Sequence, residues 1–166
     1  LPVIDVRGDV VGFGSRVLDK SEPKYMNTPE TLTYSKRRIL YGMNLAKKSK
    51  RSNIILCEGN LDVVTLHQAG FDNAVASMGT ALTQEQLRLL SRYTKELVLC
   101  YDNDNAGQQA TRRALELLNN SEFSVKVLQL PRRLVDGEYI KQDADDFIKL
   151  QGPAAFCLLY TSPSPR

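Results

Sequence analysis

The sequence has little of several residue types on which common functional sites depend. Among 166 residues there is no tryptophan, one histidine and three cysteines. No two cysteines form a CxxC pair, so a zinc site built from cysteine pairs is not expected. Cys57 and Cys100 fall inside apolar runs typical of buried strands, which favours reduced thiols in a protein core. His67 lies inside a predicted helix, where we expect a structural or surface role rather than catalysis.

Long apolar runs and targeting signals are also missing. No run approaches the roughly 20 apolar residues that a membrane-spanning helix needs, so no membrane segment is predicted. No signal peptide is visible, and because the first residue is Leu1 rather than methionine, we expect the native N-terminus to lie upstream. There are no internal repeats, and contents of 42% hydrophobic and 25% charged residues are ordinary for a globular protein.

The charge is unevenly distributed along the chain. Residues 1–52 carry eleven Lys/Arg against five Asp/Glu, a balance of +6, whereas residues 53–166 carry eleven against fourteen, a balance of −3. A basic segment joined to an acidic one is typical of a protein that holds a polyanion near bound cations. A solvated basic surface is the alternative, and charge alone does not decide between them.

Strand and helix patterns alternate through the second part of the chain. Short apolar runs predict strands at 54–57, 74–77, 97–101 and 124–130, and helical patterns lie between them at 61–69, 83–93 and 106–119. This alternation predicts a mostly parallel sheet covered by helices on both faces. Before it, the pattern predicts strands at 2–4 and 10–13 and an amphipathic helix at 36–48. After it, 131–142 reads as irregular, and a short helix is predicted near 147–150.

Acidic residues stand where two of these strands end. Glu58 follows the strand at 54–57, and Asp102 and Asp104 follow the strand at 97–101, so all three are expected at one edge of the sheet. Asp143 and Asp145 come later, in a loop. Clustered carboxylates repel one another unless cations neutralise them, and Mg²⁺ prefers such oxygen ligands. The alternative is that these acids cap helices and form turns, for which Asp-Asn-Asp-Asn is well suited.

Two of these segments resemble the motifs of the TOPRIM domain, which occurs in bacterial primases, topoisomerases, some nucleases and RecR-type repair proteins. Glu58-Gly59-Asn60-Leu61-Asp62 resembles its glutamate motif, and Asp102-Asn103-Asp104 followed by Ala106-Gly107 resembles its DxD motif. Asn103 replaces the usual glycine of the second motif, and Asn60-Leu61 replaces the commoner aromatic-Met pair of the first. Neither change removes a carboxylate, so the resemblance still implies metal binding.

Flanking segments resemble the catalytic core of DnaG-type bacterial primases, and this resemblance covers residues 1–156. The segments are 12–17, 23–30, 40–42, 76–83 and 143–148. The resemblance implies an α/β fold with a TOPRIM-type, mostly parallel sheet flanked by helices and a small basic α+β subdomain at the N-terminus. It divides the chain into a partial basic subdomain (1–52), a TOPRIM catalytic domain (53–156) and a tail (157–166) that we expect to be disordered or foreign.

For function, the resemblance implies synthesis of short RNA primers from ribonucleoside triphosphates on single-stranded DNA, the reaction of a DNA-directed RNA polymerase. It assigns catalysis to Glu58, Asp102 and Asp104. It assigns Mg²⁺ or Mn²⁺ binding to the same three residues with Asp143 and Asp145, and a supporting role to Gly59 and Asp62. It assigns nucleic-acid or nucleotide binding to Arg16, Lys24, Tyr25, Asn27 and Lys36.

The same resemblance implies the setting in which the protein works. We expect a monomer in the cytoplasm of a bacterium, or in a phage replisome, that reaches the replicative helicase through a C-terminal domain absent from this chain. Two alternatives stay open at this point. One is a TOPRIM nuclease or topoisomerase fragment, and the other is a non-catalytic RecR-like module that binds DNA.

Overall fold

A computed structural model describes residues 1–17 and 25–162 of the chain. Its strands are β1 (Pro2–Ile4), β2 (Val10–Arg16), β3 (Tyr25–Asn27), β4 (Asn53–Cys57), β5 (Ala74–Ala76), β6 (Glu96–Cys100), β7 (Ser124–Val127), β8 (Arg133–Val135) and β9 (Glu138–Ile140). Its helices are α1 (Met43–Ala46), α2 (Asn60–Gln68), α3 (Gln84–Leu90), α4 (Asn105–Leu118) and α5 (Ala144–Thr161).

The centre of the fold is a four-stranded parallel sheet with the strand order β5-β4-β6-β7. Alternate residues of β4 enter two separate cores, as the period of a strand requires. Ile55 and Cys57 pack with side chains of α2 and α5 on one face, and Ile54 and Leu56 pack with side chains of α1, α3 and α4 on the other. The predicted α/β fold with a parallel sheet flanked by helices is therefore confirmed.

The N-terminal part forms a separate antiparallel sheet in the order β1-β2-β3. Packing nevertheless continues across the predicted boundary between residues 52 and 53. Leu40, Met43 and Ala46 belong to the same hydrophobic core as Ile54 and Leu56 of β4. The division into residues 1–52 and 53–156 stays a prediction.

The helix predicted at 36–48 is wrong for most of its length, because only Met43–Ala46 are helical. Tyr41 forms an isolated antiparallel bridge with Ala76, and each backbone N–H donates to the other residue's carbonyl. Gly42 then adopts a φ of 82°, which favours glycine and separates the extended backbone from the helix. Pairing with β5 thus replaces the helical turns that the apolar spacing predicts.

Two further differences concern the C-terminal part. Residues 131–142, predicted as irregular, contain the β8–β9 hairpin, whose turn residues Asp136 and Gly137 both have positive φ. The final helix extends to Thr161 instead of ending near residue 150, with a kink at Gly152. Residues 157–161 are therefore helical where the sequence predicts a tail without structure, and residues 163–166 lie outside the described residues. In the described part of the chain, no helix is both long and apolar enough to cross a membrane.

Candidate metal-binding site

Adjacent strands bring Glu58 and Asp102 to the same edge of the sheet. Cys57, the last residue of β4, lies opposite Cys100, the last residue of β6, so both acids follow at neighbouring carboxyl ends. Burial raises the pKa of Glu58, and the negative charges of Asp102 and Asp104 raise it further. The Oε2 atom of Glu58 is buried and has no hydrogen-bond partner among the described residues. A buried acidic oxygen without a donor is a natural ligand for a cation.

Asp102 and Asp104 share one cationic partner. The Nζ atom of Lys141 lies 3.3 Å from Oδ2 of Asp102 and 3.1 Å from Oδ2 of Asp104. Burial raises the pKa of Asp102 although Lys141 opposes this, whereas the backbone N–H of Gly107 and the Lys141 ammonium lower the pKa of Asp104. The two carboxylates therefore point at one position, which is the arrangement predicted for an Asp-x-Asp pair.

Gly107, just after these acids, lies very close to the backbone of Asp102. It lies in the first turn of α4, where its N–H donates a 2.8 Å hydrogen bond to Oδ1 of Asp104, the N-cap residue. A Cβ atom built on Gly107 would lie 2.0 Å from the backbone oxygen of Asp102. Only glycine fits this close approach, which fixes the path of the chain between the two aspartates.

A third group of acids opens α5. One oxygen from each of Asp143, Asp145 and Asp146 lies within 4.8 Å of the others, close enough for the three to share an ion. Asp143 also caps the helix, because its carboxylate accepts a 2.7 Å hydrogen bond from the N–H of Asp146. Asp146 was not among the predicted site residues, although it directly follows Asp145 in the sequence.

Asp145 and Asp146 differ in electrostatic surroundings. Burial acts to raise the pKa of Asp145, but a 2.5 Å contact with Lys149 and a hydrogen bond donated by the Thr65 hydroxyl outweigh it, so this pKa is lowered. The pKa of Asp146 is raised by burial and by the charges of Asp143 and Asp145. Asp143 also acts on Asp102, whose pKa it raises, so the α5 acids and the strand-end acids share one negative region.

Asp62 lies behind this region, in the first turn of α2. Its side chain is buried and accepts hydrogen bonds from the N–H of Gly59 at 3.1 Å and from the N–H of Asp145 at 3.2 Å. Burial, together with the charge of Asp143, raises the pKa of Asp62 from an ordinary 3.8 to about 7. Asp62 thus connects the turn after Glu58 with the start of α5, which is how it could support the site.

The predicted nucleic-acid-binding residues fall into two groups with respect to these acids. Arg16, at the end of β2, lies close enough to Asp145 for its charge to lower the pKa of that carboxyl. Asn27 lies beside Gly14, and so does Asn60 of α2, since a Cβ on Gly14 would lie 2.9 Å from Asn27 Oδ1 and 3.2 Å from Asn60 Nδ2. Arg16 and Asn27 are therefore next to the segments that carry the acids.

No described contact places the other predicted binding residues beside the acids. The backbone N–H of Lys36 donates to Glu30 at 2.8 Å, and its carbonyl accepts from Gln86 at 2.9 Å. Lys24 lies outside the described residues, and of Tyr25 only the backbone is described, paired with Arg16. Their predicted roles stay predictions.

A cleft of about 270 Å³ adjoins Asp102. It lies between α4 and the ends of β6 and β7, and its lining is mixed polar and apolar. The lining residues are Tyr101, Asp102, Asn103, Gln108, Thr111, Arg112, Val127, Leu128 and Gln129. Asp102 is thus the strand-end acid that lines this cleft.

These residues fit a divalent cation. The side chains in the region offer carboxylate oxygens, the ligands that Mg²⁺ and Mn²⁺ prefer. The buried Oε2 of Glu58 has no donor among residues 1–17 and 25–162, and burial, with smaller contributions from neighbouring acids, raises the pKa of Glu58 and of Asp102. Lys141 and Lys149 place positive charge beside Asp102, Asp104 and Asp145.

Two family models match the chain, one after the other. The description "DNA primase catalytic core, N-terminal domain" matches residues 1–47, and "Toprim-like" matches residues 55–148. The second match includes the strand-end acids and the acids of α5.

Individual proteins give the same picture. A DNA primase of Clostridium acetobutylicum is 46% identical over 95% of this chain, which spans 25% of that primase. The crystal structure of the Aquifex aeolicus primase zinc-binding and RNA polymerase domains is 39% identical with a TM-score of 0.83, over 96% of this chain and 38% of that one. A DnaG primase catalytic domain bound to single-stranded DNA is 38% identical with a TM-score of 0.84, over 99% of this chain and 52% of that one.

Proposed function

This chain belongs to the DnaG-type family of bacterial DNA primases, as a part of the catalytic core with a Toprim domain, and from this we propose that the protein synthesises RNA primers. The predicted family membership is confirmed, but the chain spans only about a quarter of the length of the primases that it matches. The proposed reaction joins ribonucleoside triphosphates on a single-stranded DNA template. It is a nucleotidyl transfer that depends on divalent metal.

The observation that supports this proposal best is the meeting of Glu58 with Asp102 and Asp104 at the ends of β4 and β6. Burial and mutual repulsion raise the pKa of Glu58 and Asp102, and Glu58 keeps a buried oxygen without a donor among the described residues. Such an arrangement is unfavourable unless a cation binds there. Carboxylates that only cap helices or form turns do not require a buried acidic oxygen without a donor.

We assign the binding of Mg²⁺ or Mn²⁺ to Glu58, Asp102, Asp104, Asp143 and Asp145. When bound, such an ion supplies charge neutralisation at the triphosphate and acidifies the attacking hydroxyl. The protein's own part is to hold these carboxylates at fixed places. Gly107 fixes the path between Asp102 and Asp104, and Asp62 fixes Gly59 to Asp145.

We assign the basic N-terminal segment to the nucleic acid and the incoming nucleotide. Arg16 and Asn27 lie beside the segments that carry the acids, so a phosphate held there would be near bound metal. Lys24, Tyr25 and Lys36 complete the proposed set by resemblance. We further propose a monomer that acts in the bacterial cytoplasm and contacts the replicative helicase through a separate C-terminal domain.

The test incubates the protein with single-stranded DNA, labelled ribonucleoside triphosphates and Mg²⁺, and follows short RNA products. We expect Glu58→Gln to lower primer synthesis by roughly 100-fold or more, because metal clamps contribute several kcal/mol to such reactions. Glu116→Gln, the same change at an exposed position of α4, is the matched control and should retain activity.

Two outcomes would contradict the proposal. Full activity of Glu58→Gln would exclude the metal site from the reaction. Degradation of DNA without triphosphates, with no RNA product, would instead favour a Toprim nuclease.

A further inference from the structure

Lys141 occupies the position at which Asp102 and Asp104 converge. Its Nζ atom contacts one oxygen of each aspartate, at 3.3 Å and 3.1 Å, and donates a hydrogen bond to both. These are the two carboxylates assigned above to a divalent cation. A divalent metal ion and the lysine ammonium group cannot both lie between the same two oxygens.

The β8–β9 hairpin is what delivers Lys141 to this position. Lys141 directly follows Ile140, the last residue of β9, and two residues later Asp143 caps α5. Gln142, between them, is buried. The backbone on both sides of Lys141 is therefore anchored, whereas its side chain is 56% exposed and free to turn towards solvent.

We propose that Lys141 is an internal counter-ion, which neutralises the Asp102–Asp104 pair in the metal-free protein and competes with the divalent cation for it. The inference rests on the proposed metal site. Two carboxylates at a sheet edge repel each other, and a lysine between them lowers that repulsion until a doubly charged ion replaces it. The ammonium then moves away, because it would face the ion at short range.

The proposal predicts that removing the ammonium makes metal binding tighter. We expect Lys141→Met, which keeps most of the aliphatic stem, to bind Mn²⁺ roughly tenfold more tightly, the size expected when two partly exposed ion pairs no longer have to be broken. Lys141→Arg retains the charge and should stay close to the wild-type affinity. A lysine that merely oriented the acids would give the opposite sign in Lys141→Met.

Lys95→Met is the matched control for the change in net charge. Lys95 pairs with Glu122 at 2.7 Å and is 59% exposed, close to the exposure of Lys141. It precedes β6, at the opposite end of the strand from Asp102. Its loss should leave Mn²⁺ affinity within about twofold of the wild type, since screened charges at that distance act weakly.

The experiment titrates each protein with Mn²⁺, detects free ion by electron paramagnetic resonance, and checks folding by circular dichroism. Unchanged or weaker binding by Lys141→Met would overturn the proposal, as would equal tightening by Lys95→Met. Absence of Mn²⁺ binding in every variant would overturn it too. Failure of the proposed function is seen separately, as Mn²⁺ binding with the expected order of affinities but no RNA product.

Discussion

The buried carboxylate of Asp62 accepts a 3.2 Å hydrogen bond from the backbone N–H of Asp145, across 83 residues of sequence. The same carboxylate accepts from Gly59, the residue after Glu58. One side chain therefore fixes the distance between the turn that follows Glu58 and the acids at the start of α5. Since the first of these hydrogen bonds comes from the backbone N–H of Asp145, it positions Asp145 without using that residue's carboxylate oxygens.

The raised pKa of Asp62 leads to a prediction about pH. Between about pH 4 and pH 7 the folded protein binds a proton at Asp62 that the unfolded chain releases, so raising the pH lowers the free energy of unfolding. The shift from 3.8 to about 7 sets an upper limit of about 4 kcal/mol on this loss. Urea denaturation in EDTA at pH 5, 6, 7 and 8 measures it.

Asp62→Asn is the control for that prediction, because the amide has a similar shape and does not titrate. The loss of stability with pH should be smaller in this variant than in the wild type. A profile equally steep in both proteins would show that other groups cause the dependence, with Glu58 and Asp102 the first to examine because their pKa values are also raised.

A second prediction concerns the close approach at Gly107. Gly107→Ala would place a methyl group 2.0 Å from the backbone oxygen of Asp102, so the loop between strand and helix must shift. We expect a loss of roughly 1–3 kcal/mol in stability, typical of overpacking, and weaker Mn²⁺ binding. Gln109→Ala, at an exposed position of the same helix, should change neither. Unaltered metal affinity in Gly107→Ala would mean that this path does not set the aspartate geometry.

A third prediction concerns the attachment of the basic segment to the sheet. Gln86 of α3 is fully buried, and its amide donates to the carbonyls of Lys36 at 2.9 Å and Ile39 at 3.0 Å. Gln86→Ala leaves both carbonyls without this donor, and we expect it to lower stability by roughly 2–4 kcal/mol. Gln84→Ala, exposed in the same helix, is the matched control. Chemical denaturation of both variants checks the prediction, and equal stabilities would contradict it.

A fourth prediction tests the end of the chain. Tyr160 packs edge-on against Phe71, with ring centroids 5.8 Å apart, and its hydroxyl accepts a 3.1 Å hydrogen bond from Asn73. Ending the chain after residue 156 removes these contacts, and we expect a loss of about 3–5 kcal/mol. Ending it after residue 162 should have little effect, since the sequence predicts no apolar anchor beyond that point. Thermal unfolding of both truncated proteins measures the two losses of stability. Equal losses would contradict the prediction that the helix up to Thr161 supports the fold.

The parallel sheet could be predicted from the sequence because neighbouring residues alone define each of its strands. Each strand is a short apolar run between polar residues, and β4 and β6 match their predicted ranges to within one residue at each end. Once the strands are parallel, their carboxyl ends share an edge, so the neighbourhood of Glu58 and Asp102 follows.

What could not be predicted depends on contacts between distant segments. The apolar spacing at 36–48 suits a helix, but hydrogen bonds between Tyr41 and Ala76 take precedence over it. The place of Lys141 depends on the β8–β9 hairpin, whose Asp136-Gly137 turn carried a recognisable signal. The hairpin could thus have been found from sequence, whereas the approach of Lys141, the residue after it, to Asp102 could not.

The bridge between Tyr41 and Ala76 has a practical consequence for anyone wishing to trim this protein. In the four-stranded sheet β5 is the outer strand on its side, and the N-terminal segment shields its end. Exposed strand margins invite pairing with a second chain. Excising residues 53–156 as a minimal enzyme would strip that shield and uncover the apolar surface beneath Leu40 and Met43. The expected product is a self-associating fragment.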